Sequence, residues 1–109
     1  MAFNEALAER IRRHLARRKS VAERQMFGGI GFLLNGNLLV GVRNDSLIVR
    51  LDPAESDAAL NEPHVRAFDV GGRPMKGWLL VAPAGVEADD QLRAWVARSA
   101  EFVSKLPAK

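Results

Sequence analysis

A chain of 109 residues fits one domain, and its 48% apolar and 27% charged residues are ordinary for a soluble globular fold. It has no cysteine, which excludes a disulfide framework, a thiolate metal site and a cysteine nucleophile. The net charge of +3 is unevenly placed: residues 1–20 carry six Arg or Lys against two Glu, and the rest of the chain carries ten basic against eleven acidic groups. No window approaches the roughly 18 consecutive apolar residues of a membrane span. The opening stretch MAFNEALAERIRRHLARRK lacks a signal peptide's apolar core. The expectation is a cytoplasmic chain of bacterial type, with no membrane contact and a basic first element on a neutral body.

Residues 3–19 read as a helix. Phe3, Leu7, Ile11 and Leu15 recur every four residues as an apolar stripe, with His14 at its border. Arg17, Arg18 and Lys19 then occupy the last turn, where cations suit the helix dipole, and Glu9–Arg13 is an i,i+4 pair. The glycine-rich run MFGGIGFLLNGNLLVGV, residues 26–42, reads either as a phosphate loop or as sheet. A Walker loop needs Gly-Lys-Ser/Thr, and no Lys follows. A dinucleotide fingerprint needs a third glycine where Leu34 stands. Asn35-Gly36 between apolar runs is instead a hairpin signal. One strand is expected from about Arg24 to Leu34 and a second from about Asn37 to Arg43. Gly28, Gly29 and Gly31 then serve a bulge, a bend or a ligand.

Asn44-Asp45 is a second turn, and Leu47–Leu51 a third strand. Asp52 caps a short helix with Pro53 at its first position, ending near Glu62. Residues 65–70 read as a fourth strand, Gly71-Gly72 as a turn, and Met75–Val81 as a fifth strand. Glu87, Asp89 and Asp90 load the start of a last helix, whose apolar stripe includes Leu92, Trp95, Val96, Ser99 and Val103. The order α-β-β-β-α-β-β-α points to an α+β, two-layer sandwich: a mainly antiparallel five-stranded sheet with helices on one face.

No catalytic residue, cofactor or metal is assigned. His14 and His64 lie fifty residues apart with no metal-type spacing, and no serine stands in a G-x-S-x-G or S-x-x-K arrangement. Two segments echo each other: Arg24-x-Met26-x-Gly28 and Arg73-x-Met75-x-Gly77. On neighbouring strands they would share two Arg and two Met on one surface, with Lys76 and Trp78 on the other. That surface is either a basic and apolar docking patch or core methionines flanked by edge cations. Arg10, Arg12, Arg13, Arg17 and Arg18 form either a nucleic-acid contact or a solvated helix back.

The stretches R-Q-M-F-G-G-I-G-F at 24–32, N-G-N-L at 35–38 and R-P-M-K-G-W at 73–78 together resemble the N-terminal domain of the TfoX/Sxy family, bacterial proteins linked to natural competence. Arg24, Met26, Phe27, Gly28, Gly29, Gly31, Arg73, Met75, Lys76 and Trp78 match its signature. The resemblance covers nearly the whole chain and implies a fold like that of type III secretion chaperones. It implies a single-domain member, residues 1–109, without the second domain of full-length relatives. It also implies transcriptional, competence-type regulation through a protein partner of the cAMP receptor protein type. The family brings no established catalytic residues. Three functional readings follow: a non-enzymatic regulatory module that binds protein; weak nucleic-acid binding through the first helix; and a small-anion binder or enzyme using Arg24, Arg73 and Lys76. A homodimer through a free sheet edge is a further expectation.

Overall fold

The computed structural model describes residues 4–26, 28–70 and 73–108, with the backbone alone at 69–70 and 73–75. Helix α1 (Glu5–Leu15) begins where the Asn4 side chain accepts the Leu7 amide at 3.1 Å. It buries Leu7, Ala8, Ile11 and Leu15. The helix stops at Leu15 rather than running to Lys19. Past Leu15 the chain reads Ala16-Arg17-Arg18-Lys19, so a further turn would bury almost nothing, and helices in proteins persist mainly where they pack. Ser20, at φ 65°, then turns the backbone into the sheet. Arg17, Arg18 and Lys19 therefore lie beyond the helix, not in its last turn.

The sheet has six strands instead of five: β1 (Val21–Met26), β2 (Gly29–Leu34), β3 (Asn37–Arg43), β4 (Ser46–Arg50), β5 (Val65–Val70) and β6 (Arg73–Val81). The run expected as one strand, Arg24 to Leu34, folds back on itself, and its halves pair antiparallel from Val21↔Leu34 to Met26↔Gly29. Gly28 supplies the reversal with φ +73°, a backbone conformation open mainly to glycine. Left unbroken, those residues would extend roughly 36 Å at about 3.3 Å each. The widest dimension of the molecule is 31 Å.

The other hairpins follow local chemistry. Asn35 and Gly36 both take positive φ, 54° and 85°, as a tight turn between twisted strands requires. Asn44, at φ 56°, reverses the chain between β3 and β4. Asp52 caps helix α2 (Pro53–Ala59) by accepting the Ala54 amide at 2.9 Å, with Pro53 at the first position. The expected Gly71-Gly72 turn lies outside the described residues. Strand order is β1-β2-β3-β4-β6-β5, antiparallel throughout.

Helix α3 (Asp89–Val103) turns Leu92, Trp95, Val96, Ser99, Ala100 and Val103 inward. With α1 and Ala59 of α2 it packs on Phe32, Val40, Val42, Leu47, Val49, Leu79 and Val81, which form one face of the sheet. Ser99 is fully buried in that layer, and its hydroxyl donates to the Leu39 carbonyl at 2.6 Å, tying α3 to β3. Ser99→Ala is expected to lower stability by about 1 kcal/mol, the usual net worth of one buried hydrogen bond. Urea unfolding measures it; an unchanged midpoint would mean the bond contributes nothing.

Candidate functional site

Strand register fixes which motif residues share a surface. Across the sheet, Arg24 stands opposite Gly31, Gly31 opposite Gly41, Gly41 opposite Ile48, Ile48 opposite Leu80, and Leu80 opposite Arg66. Directly paired residues of a sheet point to the same side. This row belongs to the face away from the helices: Ile48 and Leu80 join Leu38 and Phe68 in a second buried cluster that contains no helix residue. Met26 and Trp78 pack against that cluster from the two ends of the face. Met26 of the first segment and Trp78, which follows directly on the second, thus reach the same apolar centre, so Trp78 lies on Met26's face of the sheet and not on the opposite one as expected.

The segments themselves are not neighbours. β2, β3 and β4 separate β1 from β6, a span of roughly 19 Å at about 4.8 Å per strand. Arg24 is exposed on β1. Lys76 is exposed on β6 and, with Gly77, Trp78 and Asp57, lines a separate recess of about 180 Å³ between β6 and α2. Phe27 and the side chains of Arg73 and Met75 lie outside the described residues.

The glycines of the first motif are explained by the sheet's own packing. The space above Gly31 holds the Met26 sulfur and a Leu38 methyl, which a Cβ would meet at 2.6 and 2.8 Å. A Cβ on Gly29 would collide with the Val42 carbonyl oxygen, which belongs to backbone. Flexible side chains yield more cheaply than a paired strand. Gly29→Ala is therefore expected to cost more stability than Gly31→Ala, which should lose about 1–3 kcal/mol. Equal or negligible losses in thermal unfolding of the two variants would show that neither glycine is there for packing.

The basic first segment divides into two groups. Arg12 donates to both carboxylate oxygens of Glu23 on β1, each at 2.9 Å, and to Glu9 at 3.1 Å. The bonds to Glu23 and then to Glu9 raise its already high pKa further. Glu9 thus pairs with Arg12, three residues on, and not with Arg13. On the other flank Arg10 donates to the Glu87 carbonyl at 3.2 Å and lies 3.7 Å from Asp89. His14 meets the same Asp89 carboxylate at 3.1 Å. The acidic start of α3 is therefore an internal counterpart of the basic helix. Such exposed pairs each contribute less than about 1 kcal/mol, so they orient α1 more than they hold it. Arg13, Arg17, Arg18 and Lys19 are exposed and, among the described residues, form no ion pair.

A larger recess, of about 310 Å³, opens at the β3–β4 turn and was not legible in the sequence. Arg43, Ser46, Arg66 and Phe68 line it. The Arg43 guanidinium lies 5.7 Å from the centroid of the Phe68 ring, although the two residues stand on β3 and β5. Only the register of three strand pairings brings Arg43 and Arg66 to one hollow. At the far end of β4, Arg50 sits over Trp78 at 5.1 Å and near Phe102 at 5.9 Å, and its partial burial lowers its pKa.

With this geometry in view, the family model described as the TfoX N-terminal domain matches residues 13–103. No curated protein matches the chain.

Proposed function

Because this chain belongs to the TfoX N-terminal domain family, we propose that it is a non-enzymatic regulatory module acting through a protein partner. The observation that carries this reading is the division of its cations. Arg10 and Arg12 are engaged inside the fold, whereas Arg13, Arg17, Arg18 and Lys19 crowd the corner that leads into β1. β1 is itself an edge strand, with exposed Ala22, Glu23, Arg24 and Gln25. A cationic corner beside an open strand edge suits an acidic, extended segment, which adds main-chain hydrogen bonds to charge attraction. By family analogy the module serves transcriptional, competence-type regulation, and the partner is a regulator of the cAMP receptor protein type.

A second reading rests on the same corner, with nucleic acid as the ligand. Phosphate contacts by Arg13, Arg17, Arg18 and Lys19 would give weak binding that falls steeply with salt. No Phe, Trp or Tyr lies among residues 10–20, and His14 is engaged with Asp89, so base stacking would not assist it. The test uses the variant Arg13→Glu, Arg17→Glu, Arg18→Glu in two assays. Affinity capture from expressing cells is expected to recover a partner with the parent chain and to lose it with the variant. Recovery that is unchanged in the variant, or no partner at all with the parent chain, would overturn the protein-binding reading. DNA anisotropy at low and moderate salt decides the second reading: salt-sensitive binding lost in the variant supports it, and no binding at low salt ends it.

A further inference from the structure

We infer that the recess between the β3–β4 turn and β5 is a binding site for a small phosphate monoester, held by Arg43 and Arg66. Both arginines belong to the face of the sheet away from the helices. Arg66 pairs with Leu80, whose row continues to Ile48, and Arg43 pairs with Ser46, two residues before Ile48 on the same strand. The two rows are therefore adjacent. Three strand steps separate β3 from β5, roughly 14 Å at about 4.8 Å each. Arg43 spans much of that distance, since its guanidinium lies 5.7 Å from the ring of Phe68, two residues beyond Arg66. Both arginines thus line one hollow of about 310 Å³.

Neither arginine forms an ion pair among the described residues, in contrast to Arg10, Arg12, Arg93 and Arg98. Two cations that line one hollow, neither paired with a described carboxylate, repel each other, and an anion between them relieves that repulsion. Phe68 is buried, and the Arg43 guanidinium lies within cation–π reach of its ring at 5.7 Å, which favours one placement of that fork. The Ser46 hydroxyl lines the hollow, is half-buried and donates no hydrogen bond to any described residue.

The charge selects the ligand class. Two guanidinium forks and a hydroxyl match the oxygens of a phosphate monoester, which carries close to two negative charges at neutral pH. A single carboxylate brings one charge and two oxygens, which leaves half of the paired positive charge uncompensated. Asp45, also on the wall, is the one acidic residue among the described lining residues, and it sets a cost on any anion. The volume exceeds that of a phosphate group and lies at the low end for small-molecule sites, which leaves room for a short organic portion. This site is separate from the corner formed by Arg13, Arg17, Arg18 and Lys19 and does not depend on the reading of that corner.

The test is an amide NMR titration of the full chain with glycerol 1-phosphate, inorganic phosphate and glycerol. Saturable shifts are expected at Arg43–Ser46 and Arg66–Phe68 with both phosphates, tighter with the ester, and none with glycerol. Arg66→Ala and Arg43→Ala should each weaken binding about tenfold or more, as loss of a charged hydrogen bond does. Arg43→Lys should restore part of it, which separates lost charge from a disturbed Phe68. Asp45→Asn should tighten binding. No saturable shift at these residues, shifts confined to residues 13–19, or equal affinity in Arg66→Ala would each overturn the assignment.

Discussion

A six-stranded sheet has two faces to bury, and the three helices of this chain lie against only one of them. The central strands answer that constraint with apolar residues on both sides: every residue of β2, and six of the seven in β3, is buried. One set meets α1, α2 and α3. The other set, centred on Leu38, Ile48, Phe68 and Leu80, packs among the described residues only with others of the sheet. Met26 folds back over Gly31, and Trp78 packs in from β6. Glycine at position 31 leaves the hollow into which Met26 and Leu38 fit, and glycine at 29 lets β2 lie against the Val42 carbonyl. The family signature is thus, at these positions, a device for sealing a sheet that lacks helices on one side.

That conclusion moves the search for function away from the motifs. Residues occupied in closing a core are poor candidates for contact with a partner, and Met26, Gly29, Gly31 and Trp78 are so occupied. What remains for recognition is charge left without an internal partner. Among the described residues it gathers most in two places, the corner at residues 13–19 beside the β1 edge and the hollow shared by Arg43 and Arg66, with Arg24 and Lys76 exposed singly elsewhere. The basic balance of the first twenty residues, which looked like a single feature, is partly internal wiring to Glu23 and Asp89 and partly free surface.

Features decided within a few residues could be read from the chain itself. Asn35-Gly36, Asp52-Pro53 and the stripe from Leu92 to Val103 each fold as their local chemistry dictates. The β1–β2 reversal escaped because Gly28 and Gly29 suit a bulge or bend within one strand as well as a turn, and the residues alone do not choose between them. The early end of α1 escaped because the three cations Arg17, Arg18 and Lys19 can sit on a helix as well as beyond one, and only packing distinguishes the two. The packing of Met26 and Trp78 against one apolar cluster, and the placing of Arg43 and Arg66 on one hollow, depend on the pairing of strands distant in sequence. No spacing rule contains that information.

The most direct test of this account is the urea unfolding of Ile48→Ala. Ile48 lies on the face without helices and is 1% exposed. If that face is a sealed second core, the substitution removes buried methyl groups and leaves a cavity, and stability should fall by about 2–5 kcal/mol. A loss below about 0.5 kcal/mol, the range of ordinary surface positions, would show the face to be open. The signature residues would then have to be reconsidered as a docking surface.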